Sequence, residues 1–154
     1  MENSKPKAWY EHNPQRLRQD IDDMLWHFPI FHYTITNDTV TWQGSVKILA
    51  PDSKLKEYPL RIECRNDYPS EAPRVYCEEG FPTNGRWRPP HLFKDGALCL
   101  FYPSDKSHRR WTKDDKLSTI VAWACEWLHA YEYWRRTKRW LGKEAPHPRR
   151  KRKR

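Results

Sequence analysis

The hydrophobic period of this chain switches once, and that switch limits its fold more than any other feature. Between Thr39 and Arg65 the apolar side chains alternate: Val40, Trp42, Val46 and Ile48, then Tyr58, Leu60, Ile62 and Cys64. From Leu117 the spacing lengthens to three or four, through Ile120, Val121, Ala124, Trp127, Leu128, Tyr131 and Trp134. A period of two puts one face of a strand on a core, and a period near 3.6 lays a stripe along a helix. Strands therefore come first and a long helix last. The links between strands are short, which favours an antiparallel meander, because parallel neighbours need a long crossover. The expected class is α+β.

The flanking segments fit that order. Asn13 is placed to cap a helix with Pro14 in its first turn, and Leu17, Ile21, Met24, Leu25 and Phe28 follow at helical spacing. Pro29 stops this helix. Phe31–Thr36 reads as a first strand, Asn37-Asp38 as a turn, Thr39–Leu49 as a second strand and Glu57–Arg65 as a third. Gly44 marks a bulge or a close approach. Pro69 and Pro73 keep the next stretch extended, and Arg74–Cys77 adds a short fourth strand. Gly80–Pro90 is irregular, and Pro103–Arg110 is a polar insert.

A chain of 154 residues with nine Trp, eight Tyr and five Phe can bury one real core. The expected organisation is a single domain over residues 1–147 and a basic tail over 148–154. Arg149–Arg154 are all Lys or Arg and hold six of the nine net positive charges, leaving +3 on the rest. Such a run repels itself; it is either a solvated tail or an attractor for nucleic acid, an anionic surface or an acidic partner. No stretch approaches the roughly 18 apolar residues that span a bilayer, and the N-terminus lacks a secretory pattern. A cytoplasmic location with reduced thiols is expected. Cys64, Cys77, Cys99 and Cys125 include no Cys-x-x-Cys pair. A mixed site of Cys77, His91, Cys99 and His108 exists only on paper, so no metal or other cofactor is expected.

Cys99 carries the chemistry. It closes the run His91-Leu92-Phe93-Lys94-Asp95-Gly96-Ala97-Leu98-Cys99-Leu100. Asp95-Gly96 supplies a tight turn. Alternation then buries Leu98 and Leu100 and turns the sulfur the other way. The competing reading is a buried Cys serving as an apolar filler. Lys94, His108, Arg109 and Arg110 would favour the thiolate if they gather around the sulfur. No His–Asn or His–Asp partnership of a Cys protease is identifiable.

Element order and motifs together resemble the ubiquitin-conjugating enzymes. Their Tyr-Pro-x-x-Pro-Pro-x-Val signature is matched by Tyr68-Pro69-Ser70-Glu71-Ala72-Pro73-Arg74-Val75. Their His-Pro-Asn, ahead of the catalytic Cys, is matched by His91-Leu92-Phe93, with Cys99 eight residues after His91. Leu100 stands for the aliphatic residue after that Cys, and Trp111 for the Trp before the next helix. The resemblance spans roughly residues 10 to 135. Beyond it, Trp127-Leu128, Tyr131-Glu132-Tyr133-Trp134, Thr137, Trp140, Gly142, Glu144 and His147 look like the bacterial branch found in anti-phage cyclic-oligonucleotide (CBASS) defence islands.

This resemblance implies a fold of a four-stranded meander, an N-terminal helix and a long C-terminal helix. It implies a transferase that carries an acyl group as a Cys99 thioester, fed by a separate activating enzyme or acyl donor. The implied target or partner is a cyclic-oligonucleotide synthase, a nucleotidyltransferase. Cys99, His91 and His108 are the candidate catalytic residues. His91 is read mainly as a structural hydrogen-bonder and His108 as a proton shuttle or oxyanion donor. Phe93 stands where the family has its oxyanion-supporting Asn. Phe93 is expected to pack and lock the loop, with a backbone N–H of Asp95–Cys99 or His108 supplying the missing donor. The alternative is a binding module of the same fold that transfers nothing.

Overall fold

The computed structural model describes residues 5–101 and 110–141. His108, Gly142, Glu144, His147 and the basic tail lie outside the described residues. A short helix, α1 (Trp9–His12), leads into α2 (Pro14–His27). Four strands follow, β1 (His32–Thr36), β2 (Thr39–Leu49), β3 (Leu55–Cys64) and β4 (Arg74–Cys77), and then α3 (Leu117–Thr137). The sheet runs β1-β2-β3-β4, each pair antiparallel, so the α+β meander with a long final helix is the observed fold. None of the described helices is long and apolar enough to cross a membrane.

The turns explain the register. Asn37 and Asp38 both have positive φ, the tight hairpin geometry that keeps Thr36 opposite Thr39. At the next turn the Ala50 N–H donates to the Lys54 carbonyl, so β3 starts at Leu55, two residues earlier than its alternation suggests. Pro59 sits inside this central strand. Its carbonyl accepts from the Glu78 N–H, so its missing donor faces the end of β4, where the ladder has already stopped. Gly44 marks a close approach: a Cβ there would lie 2.6 Å from the Phe31 ring.

One sheet face and α3 enclose the core. Val40, Leu60 and Ile62 are fully buried against Leu117, Ile120, Val121, Ala124 and Leu128. Two elements depart from the apolar pattern. On α2, Leu25 is 67 % exposed, while Arg16 and Asp20 point inward. Arg16 donates to Asp20 Oδ1 (3.0 Å), to the Tyr68 hydroxyl (2.8 Å) and to the carbonyls of Lys113 and Asp115 (2.6 Å each). The Tyr68 hydroxyl in turn donates to Asp20 Oδ2 at 2.7 Å. This cluster pins α2 to the Tyr68-Pro69 turn and to the chain entering α3. On α3, Glu132 is fully buried. It accepts from the Tyr58 hydroxyl and from Arg136. Burial alone would raise its carboxyl, but these partners outweigh burial and hold it below the usual carboxylate range.

Candidate functional site

The segment from His91 to Cys99 is a small hairpin. Leu92 and Leu98 face each other in an antiparallel bridge. The Phe93 N–H donates to the Ala97 carbonyl (2.8 Å), and the Gly96 N–H donates back to the Phe93 carbonyl (2.9 Å). Gly96 has φ +91°, a conformation that L side chains rarely adopt. The Asp95 side chain secures the turn by accepting from the Ala97 N–H at 3.0 Å. The base closes where the Cys99 N–H donates to the His91 carbonyl at 2.9 Å.

Three attachments fix this hairpin on the body. The Leu98 N–H donates to the Val75 carbonyl, which ties the hairpin to β4. Asp95 Oδ2 accepts from the Tyr76 hydroxyl (2.8 Å) and from Arg74 (3.1 Å). The Trp127 indole N–H donates to the His91 carbonyl at 3.0 Å. Leu98 and Leu100 are buried, whereas Cys99 is half-buried. Alternation thus turns the sulfur away from the core. Cys64 and Cys77 are buried, but Cys125 is half-buried too, so Cys99 is not alone in its exposure.

The electrostatics correct the sequence reading. Burial pushes the Cys99 thiol up to about 11, the Arg88 guanidinium opposes this, and Asp95 adds to it. At neutral pH the resting group is the thiol. The expected gathering of Lys94 and Arg110 does not lower it; among the described residues the effective cation is Arg88, which sequence reasoning missed. Arg88 donates to the carbonyls of Thr83 and Phe93. It also lines a cavity of about 250 Å³ beside the hairpin, with Leu92, Lys94 and Asp95.

Phe93 does not lock the loop by packing. Its side chain is 49 % exposed, and its backbone makes the loop contacts. Four of the five backbone donors of Asp95–Cys99 are also committed. The N–H groups of Gly96, Ala97, Leu98 and Cys99 donate to Phe93, Asp95, Val75 and His91 respectively. His91 meets Cys99 through its main chain, and its ring lies against Trp140, centroids 5.0 Å apart. His108 lies outside the described residues. Among those that are described, no group of three or more His, Cys, Asp or Glu is placed to hold a metal ion.

Beyond the hairpin, Trp111 donates from its indole N–H to the Pro69 carbonyl at 2.8 Å, and Arg16 holds Lys113 and Asp115. These contacts fix the chain that enters α3. Trp127 and Trp140 are further residues that sequence reasoning assigned to other duties. The requirement that a buried indole N–H find an acceptor was the available signal for Trp127.

No curated protein matches this sequence. The family described as "Type II CBASS E2 protein" matches residues 20–148, which takes in the whole sheet, the Cys99 hairpin and α3. A four-stranded meander with a final helix that buttresses a thiol-bearing hairpin is thus the framework of a CBASS-associated, E2-like protein, and the chain belongs to the E2-CBASS family.

Proposed function

We propose that the protein is an acyl carrier and transferase that works through Cys99. The thiol loses its proton, and the thiolate attacks the carbonyl of an acyl group held as a thioester by an activating enzyme. The C–S bond to the donor breaks, a bond to Cys99 forms, and the donor leaves as thiolate. An amine of the target then attacks the Cys99 thioester; an amide forms, the amine gives up a proton, and Cys99 leaves as thiolate. The target is the cyclic-oligonucleotide synthase of the same defence system. One observation carries this reading: a sheet-anchored hairpin in an E2-CBASS chain buries both neighbours of Cys99 and leaves the sulfur half-exposed.

Arg88 assists ionisation by opposing the rise in the Cys99 thiol. The N–H groups of 96–99 are committed and Phe93 is apolar, so we assign the oxyanion donor to His108 of the insert, with the Asp95 N–H as the backbone alternative. His91 serves by holding the loop through its carbonyl.

The test is co-expression with the synthase and an activating enzyme from the same defence locus, followed by intact-mass analysis. A thiol-sensitive adduct on the wild type is expected, becoming thiol-resistant in Cys99→Ser and absent in Cys99→Ala. The raised thiol and the missing Asn favour a second reading, a binding module. Stable association with the synthase and no adduct on any variant would establish that reading instead.

A further inference from the structure

The chain does not stop contributing to the site where α3 ends. Lys138 caps the helix in the left-handed conformation, φ 60°, and its N–H donates to the Trp134 carbonyl. Its ammonium lies between two indoles, 3.8 Å from the Trp87 centroid and 4.1 Å from the Trp134 centroid, and donates to the Arg86 carbonyl at 3.2 Å. Although Lys138 is exposed, an ammonium over Trp faces is attracted by both rings. The cation therefore fixes the direction in which the chain leaves the helix.

Two residues later, Trp140 turns back over the hairpin base. Its ring lies 5.0 Å from the His91 ring and 5.2 Å from Trp127, centroid to centroid. His91 needs such support. It has φ 59°, a conformation that costs free energy in a non-glycine residue and persists only where surroundings over-determine it. Its carbonyl is the point where the Cys99 N–H and the Trp127 indole N–H converge.

We propose that Trp140 is a positioning residue for Cys99. Anchored by Lys138 between Trp87 and Trp134, it presses His91 into its strained conformation and so holds the hairpin that presents the sulfur. The proposal deepens the thioester reading by naming what keeps the nucleophile in place, and it rests on that reading for its purpose. Among the described residues, the charged groups that act on Cys99 are Arg88 and Asp95.

The experiment needs no acyl donor, so its failure and that of the thioester reading are distinguishable. Full-length wild type, Trp140→Ala, Trp140→Phe and Lys138→Met are alkylated with iodoacetamide across pH 7–11, and the rate at Cys99 is followed by peptide mass spectrometry. Amide hydrogen exchange is measured in parallel. Burial is the main cause of the high thiol, so a hairpin released into water ionises more easily. Trp140→Ala should lower the midpoint by about one unit, raising the thiolate fraction at pH 8 about tenfold. The Cys99 amide should exchange at least about tenfold faster, while Val121 and Leu128 stay protected. Trp140→Phe should restore most of the midpoint, and Lys138→Met should shift it part of the way. If Trp140→Ala does not fold, Lys138→Met decides by the same two readouts. An unchanged midpoint with an unchanged Cys99 amide overturns the proposal. So does faster exchange that spreads equally through α3, which would make Trp140 a packing residue only.

Discussion

Asp20 is fully enclosed beside a guanidinium, and two opposed forces act on its carboxyl. Arg16 and the Tyr68 hydroxyl favour the charged form, whereas removal from water disfavours it. Burial wins, and the pKa rises from 3.8 to about 6. A folded-state value above the unfolded one fixes the sign. The contribution of Asp20 to stability is fully present below pH 3.8 and is lost as the pH rises through about 6. A displacement of roughly two units corresponds to about 3 kcal/mol. Asp20→Asn keeps the shape and cannot ionise. The stability of this variant minus that of wild type should therefore grow by about 2.4 kcal/mol between pH 4 and pH 7. Urea unfolding of both proteins at half-unit steps measures it, and the subtraction cancels the titrating groups that do not interact with Asp20. A difference that is flat, or that shrinks as pH rises, would mean that the Arg16 pair outweighs desolvation, and the reasoning fails.

Three further outcomes are expected. Cys99→Ala should keep the fold by circular dichroism and abolish adduct formation, whereas Cys125→Ala, equally half-buried, should retain it. His108→Ala should load at the wild-type rate and discharge about 10²–10³ slower in single-turnover assays; wild-type discharge would remove His108 from the mechanism. Gly44→Ala drives a methyl into the Phe31 ring and should cost about 1–3 kcal/mol in chemical denaturation, while Gly44→Ala with Phe31→Leu should recover part of that loss.

The sheet and α3 were legible because their signals are local. Alternation at 40–48 and 58–64 and the stripe at 117–134 each report a single burial face. The hairpin was legible for a similar reason, since Asp95-Gly96 is turn chemistry and Leu98 and Leu100 flank the sulfur. What was hidden depends on partners far along the chain. Arg16 and Asp20 face inward because Tyr68, about fifty residues on, brings a hydroxyl between them, and a helical wheel instead assigns Leu25 to the core. The direction of the Cys99 shift depends on how deeply the sulfur sits, which no spacing reveals. Trp140 follows the helix in a basic stretch, and its place against His91 arises only once the chain reverses at Lys138.

The bond from the Leu98 N–H to the Val75 carbonyl has a consequence for how the sheet meets other chains. A four-stranded meander has two borders where main-chain groups can recruit a foreign strand. Here the border at β4 already bears a bond from the protein's own hairpin at the Val75 carbonyl, whereas β1 has a single neighbour and is exposed along all five residues. Ladder-type association, whether by a partner or by misassembly, is thereby directed to β1, at the opposite border of the sheet from the thiol. Next to Cys99, the hairpin already holds the main-chain acceptor at Val75.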